Sequence, residues 1–148
     1  MAREHQVDED RFRTILPEEI VWKPFPAFPP GARLAVMVGH PAEPGALSGS
    51  CKSARRNELM PHKHPENHGH VRRLLHRPWR SLRWRQGQGI SEGGVIVLPG
   101  ETWHFHWAKS GEYVTQVSAL GPLGLEYHDE RDDPRRGAEA AIESGRSK

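Results

Sequence analysis

Hydrophobic and polar positions along the chain form short stretches with strand patterns, separated by stretches that have no period. Three runs rich in aliphatic and β-branched residues predict strands: residues 33–39, 95–98 and 113–120. Residues 103–107, WHFHW, alternate, so we expect three aromatic rings on one face of a further strand and His104 and His106 on the other. The pattern predicts an all-β protein.

Two tracts interrupt this order. Residues 46–58 and 67–93 show neither the alternation of a strand nor a single apolar face of a helix. The second tract holds six arginines and only one acidic residue, Glu92. We expect neither tract to supply strands, which would leave the β-structure incomplete.

The two ends of the chain differ from its centre. Residues 1–20 are polar and charged and predict an N-terminal arm, and residues 129–148 predict a disordered charged tail because they offer little apolar surface to bury. Between them, residues 21–128 are assigned to one domain, which suits a chain of 148 residues. Its proline-rich start carries aromatic residues that we expect to pack against the domain or against a second subunit.

Composition narrows the class of protein further. Hydrophobic residues make up only 35% of the chain, and 15 glycines and 13 prolines favour turns and short strands over long helices. The single cysteine, Cys51, excludes an internal disulfide. No apolar run is long enough to span a bilayer and no secretory signal is recognisable, so we expect a cytoplasmic protein without a membrane partner.

The distribution of charge argues against a nucleic-acid partner. The net charge is only +2, although residues 67–93 are strongly basic. The basic character therefore belongs to one tract and not to the domain as a whole. This tract could be a solvated basic loop or an RNA-binding patch, and the absence of any repeat in it favours the loop.

Four histidines form two pairs with the same spacing. His62 and His64 are two residues apart, as are His104 and His106, so each pair would project from one face of a strand. Two such pairs can supply three or four nitrogen ligands, and imidazole suits iron, zinc, copper and nickel. The alternative is that all four lie in surface loops. Since both pairs adjoin predicted strands, the metal site is favoured.

Two stretches resemble the motifs of the cupin superfamily. They are LMPHKHPE at residues 59–66 and VIVLPGETWHFHW at residues 95–107, and the surrounding sequence is similar to small bacterial single-domain cupins. The resemblance implies a cupin-type jelly roll, also called a double-stranded β-helix barrel. With two tracts lacking strand patterns, that barrel would be incomplete.

The resemblance also implies a ligand set for a divalent metal: iron, manganese, zinc or nickel. His62 and His64 match the histidine pair of the first cupin motif, and His104 matches the histidine of the second. His106 would replace His104 if the register differs by one pleat. Glu66 is the nearest acidic residue to the cupin glutamate, although it lies closer to His64 than is usual in the family.

The implied function is that of a metal-dependent oxygenase or isomerase acting on a small molecule. A non-catalytic cupin that binds a small ligand is the alternative, and a homodimer is compatible with either. The unpatterned tracts suggest a third reading, an inactive product of a frameshifted gene. If residues 46–58 and 67–94 are read one base further on, permitted codons encode cupin-like strands at both places. We therefore hypothesise compensating frameshifts.

Overall fold

The computed structural model describes residues 12–64, 70–76, 79–83, 86–108 and 111–137. Within these ranges the chain forms ten β-strands, and helical structure is limited to single turns. The strands are β1 (Ala32–Val38), β2 (Gly45–Ser53), β3 (Glu58–Lys63), β4 (His70–His76), β5 (Trp79–Arg83), β6 (Gln86–Ile90), β7 (Val95–Leu98), β8 (His104–Trp107), β9 (Tyr113–Gly121) and β10 (Glu126–Tyr127). None of the helices in these ranges is long and apolar enough to cross a bilayer.

The strands form two five-stranded antiparallel sheets. The first has the order β1-β2-β9-β4-β7 and the second the order β10-β3-β8-β5-β6. The main hydrophobic core joins residues of both sheets, with Leu34, Cys51 and Val117 from the first and Leu59 and Tyr127 from the second. The predicted all-β class is confirmed. Among the described strand pairs, none joins one sheet to the other.

The expectation that residues 46–58 supply no strand is wrong. Strand β2 pairs with β1 on one side and with β9 on the other, where nine consecutive residue pairs are in register. Its buried side chains include Ser50, Cys51 and Ser53, which are small and therefore show no hydrophobic period. Backbone pairing on both edges and a close fit to β1 replace the large apolar residues that normally mark a strand.

The expectation for residues 67–93 is also wrong, since the tract contributes β4, β5 and β6. Strand β4 lies between β7 and β9, and β5 lies between β6 and β8. The polarity of β4 is inverted, because Val71 and Leu75 are 43% and 42% exposed while Arg72 is 3% exposed. No sequence pattern predicts a strand that exposes its apolar side chains and buries an arginine.

The predicted strands at the other places are observed. Strands β1, β7, β8 and β9 lie within one or two residues of the predicted boundaries. The proline-rich lead-in packs on the core through Ala27 and Phe28, which are both buried. Tyr127 on β10 fixes it there, since its hydroxyl donates a hydrogen bond of 2.7 Å to the carbonyl of Ala27.

The start of the predicted tail also contacts the domain. Glu130–Asp132 form a 3-10 turn, and the guanidinium of Arg135 donates a 2.7 Å hydrogen bond to the carbonyl of Leu125 and pairs with Asp133. The structure describes the tail only as far as residue 137. The assigned domain boundaries remain predictions.

Candidate metal centre

Three histidines from the two sequence motifs meet in the interior. His62 lies on β3, His64 follows directly after it, and His104 begins β8. Strands β3 and β8 are antiparallel neighbours, and His62 is the register partner of His104. One ligand nitrogen of each histidine lies within 4.8 Å of those of the other two, and all three side chains are buried. Hydrogen bonding between two strands thus brings the two motifs together.

The alternation predicted for residues 103–107 is observed, and the histidine face is the inner one. His104 and His106 are buried, whereas Phe105 and Trp107 are half-buried. His106 therefore joins the same cluster, with its ring centroid 5.4 Å from that of His62 and 5.1 Å from that of His104. It is not one of the three residues whose ligand nitrogens converge.

Backbone carbonyls fix the tautomers of the three converging imidazoles. Each Nδ1 faces a carbonyl oxygen: His62 faces Met60 at 2.7 Å, His64 faces Gly124 at 2.7 Å and His104 faces Thr102 at 2.9 Å. A carbonyl can only accept a hydrogen bond, so Nδ1 carries the hydrogen and Nε2 of the neutral ring carries the lone pair. Metal-binding histidines are oriented by the same kind of hydrogen bond.

The surroundings keep the imidazoles of β8 neutral. Burial, reinforced by the positive charge of Arg72, lowers the pKa of His104 to about 4, against a weaker opposing effect of its hydrogen bond to Thr102. Burial, the charge of Arg72 and the neighbouring histidines lower the pKa of His106 well below 6.5. Neutral imidazole is the form that binds a metal, so the donor set of this cluster fits a divalent ion.

A guanidinium group lies inside the same cluster. Arg72 reaches inward from β4, with Nη1 3.2 Å from Nε2 of His106 and Nη2 3.4 Å from Nε2 of His64. A guanidinium has only donors, so both imidazole nitrogens accept from it. No sequence pattern identifies Arg72 as part of this site, because the apolar residues around it do not alternate as a strand requires.

The remaining candidate ligand lies outside the described residues. Glu66 falls in the range 65–69, so its predicted role as a fourth ligand stays a prediction.

The only cysteine of the chain, Cys51, is buried, and burial raises the pKa of its thiol. A thiol held in its neutral form is a poor nucleophile, which agrees with reading Cys51 as a structural residue.

A narrow cavity adjoins the cluster on its apolar side. His64 and Arg72 line it together with apolar side chains, among them Phe28, Leu34 and Leu125. Its volume of ≈ 10 Å³ is room for about one water molecule. A larger ligand would have to displace some of these side chains.

Solved structures of cupins have the same fold. The polyketide cyclase RemF from Streptomyces resistomycificus superposes with a TM-score of 0.70 and 11% identity, covering 87% of this chain and 94% of its own. A cupin-2 domain protein from Rhodospirillum rubrum gives 0.62 and 12%, covering 82% of each chain. KdgF from Halomonas gives 0.60 and 17%, covering 73% of this chain and 94% of its own. At these identities the similarity establishes the fold, and the predicted cupin fold is confirmed.

The sequence comparisons add no closer relative. No family model matches the chain, and none of the curated proteins is significantly similar to it.

Proposed function

Because the chain has a cupin fold with three converging imidazoles in its interior, we propose that it binds a divalent metal through His62, His64 and His104. The observation that carries this proposal is the common tautomer of the three rings, each with Nδ1–H directed at a carbonyl and the lone pair on Nε2. Iron, zinc and nickel suit such nitrogen ligands, and manganese is the further candidate that the resemblance to cupins implies.

Two residues are candidates for a fourth ligand. His106 is buried beside the three histidines, and Glu66 follows His64 by two residues. A bound metal would supply a Lewis acid with an open position for a small molecule or dioxygen. Oxygenation or isomerisation of a small molecule is the reaction class that we propose.

The experiment that tests this proposal is metal analysis of the purified protein by mass spectrometry. His62→Ala, His64→Ala and His104→Ala should each remove most of the bound metal, and His106→Ala should have a smaller effect. His40→Ala is the matched control, because His40 is exposed on the loop between β1 and β2. Equal metal content in all five variants would refute the proposed ligand set.

A non-catalytic ligand-binding cupin is the second candidate, and the position of Arg72 favours it. The guanidinium already occupies the lone pairs of His64 and His106, so two of the four imidazoles have a hydrogen-bond donor in place of an ion. The two candidates respond differently to a chelator. A ligand-binding protein would retain its ligand after the treatment, whereas a metal-dependent enzyme would lose its metal and its activity.

We also propose that residues 46–58 and 67–94 derive from compensating frameshifts in a bacterial gene. The inverted polarity of β4 supports this, because Arg72 points inward while Val71 and Leu75 are exposed. Sequencing the gene tests the idea directly: the DNA must encode alternating strands in the shifted frame. If it does not, the idea fails.

A homodimer in the cytoplasm, without nucleic-acid or membrane partners, is the assembly that we propose. Its support is the exposure of Val71, Val95 and Val97 on the neighbouring strands β4 and β7. Exposed apolar groups that lie together are typical of a surface covered by a partner. Analytical ultracentrifugation should show a dimer that Val97→Lys converts to a monomer, while the control Val38→Lys leaves it intact.

A further inference from the structure

Arg72 is an unusual residue for the interior of a β-protein. Among the residues whose burial the structure describes, Arg72 is the only buried lysine, arginine, aspartate or glutamate. No described carboxylate pairs with it, and its Nε finds no acceptor in the described part of the chain. A buried cation is expected to have an anionic partner, and here its partners are two neutral imidazoles.

The hydrogen bond to His64 conflicts with metal binding. Nδ1 of His64 donates to the carbonyl of Gly124, so Nε2 holds the only lone pair in the plane of the ring. That lone pair is directed to Nη2 of Arg72 at 3.4 Å. An imidazole nitrogen cannot donate the same lone pair to a metal and accept a hydrogen bond with it. His64 can therefore bind either Arg72 or an ion, but not both at once.

The charge of Arg72 acts in the same direction. A divalent ion held by these histidines would lie close to a guanidinium in a buried place, where like charges repel strongly. The adjoining cavity, which Arg72 itself lines, is small and otherwise lined mainly by apolar side chains. Moving a charged group there costs free energy because the lining offers it little solvation.

From these contacts we infer that Arg72 is an internal competitor of the metal, and that it sets the affinity of the histidine site. The inference rests on the proposed function, since it concerns the same three ligands. Binding of an ion requires Arg72 to leave Nε2 of His64, so the wild-type protein binds divalent metals less tightly than a variant with a neutral residue at position 72.

Zinc titration by isothermal calorimetry, on protein first treated with a chelator, tests the inference. Arg72→Met removes the charge and the hydrogen bonds while keeping a long apolar side chain, and its Kd should be lower by about tenfold or more. Arg73→Met is the matched control, because Arg73 is the exposed neighbour on the same strand. Its Kd should stay within about twofold of the wild-type value.

The outcomes separate the inference from the proposed function. If the wild type and Arg72→Met bind zinc equally tightly, and His64→Ala abolishes binding in both, the metal site stands and the competition is refuted. If both proteins are folded by circular dichroism and neither binds zinc, the metal site itself is refuted, and the inference with it. Arg72→Gln, a smaller change, serves if Arg72→Met is insoluble, and an unchanged Kd in that variant would also overturn the inference.

Discussion

Strands β4 and β8 belong to different sheets and direct side chains into the same buried cluster. Strand β8 does so with a regular alternation, in which His104 and His106 are buried and Phe105 and Trp107 are half-buried. Strand β4 buries Arg72 and exposes the apolar Val71 and Leu75. Both strands are fully paired in their sheets. The backbone can therefore enter a sheet in either case, and the two strands differ in the group that they bury, neutral imidazoles from β8 and a charged guanidinium from β4.

The largest effect on stability should come from placing an arginine at a buried apolar position of another strand, as β4 buries Arg72. Val117 on β9 is 4% exposed in the core, and Val117→Arg would bury a cation there beside apolar side chains. We expect a loss of about 3–5 kcal/mol in the free energy of unfolding, enough to unfold a marginal domain.

Urea denaturation measures this loss, and solubility after expression gives a simpler readout. Gln116→Arg is the control, since residue 116 is the exposed neighbour on the same strand and the variant adds the same charge. A folded Val117→Arg protein with an unchanged denaturation midpoint would show that the core tolerates inverted polarity generally.

The second-largest effect on stability should come from replacing the buried arginine of β4 by an apolar residue. Arg72→Leu replaces a buried cation, for which none of the described carboxylates is a partner, by an apolar side chain, and such replacements are neutral or stabilising by about 1–4 kcal/mol. The urea midpoint of Arg72→Leu should rise, while Arg73→Leu, at an exposed position, should change stability by less than about 0.5 kcal/mol. A lower midpoint for Arg72→Leu would mean that the hydrogen bonds to the histidines outweigh the cost of burying the charge.

The contrast between strands with a regular side-chain pattern, such as β8, and strands without one, such as β4, explains what could be predicted from the sequence. The strand at 95–98 and the histidine faces of residues 62–64 and 104–106 follow from local alternation and turn residues, and they are observed there. Strand β2 could not be predicted, because its buried residues, apart from Leu47, are serine, glycine and cysteine, whose fit depends on β1 and β9. The role of Arg72 could not be predicted either, because it depends on which face of β4 turns inward.

The histidines of β8 should also make stability depend on pH. Burial and the charge of Arg72 lower the pKa of His104 to about 4 in the folded protein, whereas an unfolded histidine titrates near 6.5. Between these values the unfolded state binds the extra proton, so the free energy of unfolding falls as pH decreases and is constant above about 6.5. One such group contributes about 1.4 kcal/mol per pH unit in that window.

Thermal denaturation between pH 4.5 and 8, on protein treated with a chelator, measures this dependence. His106 adds a slope of the same sign, because its pKa is lowered as well. His104→Gln should lower the slope by the contribution of about one proton. A protein whose melting temperature is the same at pH 5 and pH 8 would contradict the neutral, buried state of these imidazoles.

The smallest effect distinguishes the two unpatterned tracts from each other. Strand β2 accommodates its unusual composition because small residues let β1 approach, and a Cβ atom added to Gly49 would lie only 2.7 Å from the carbonyl oxygen of Ala35. Since both atoms belong to paired backbone segments, neither can move without disturbing the register of Val36 with Gly49.

We expect Gly49→Ala to lower the free energy of unfolding by about 1–2 kcal/mol, measured by urea denaturation. Ser48→Ala, at the neighbouring half-buried position, is the control and should be nearly neutral. A neutral Gly49→Ala would mean that β1 and β2 are loosely packed, and that β2, like β4, is held by backbone pairing alone.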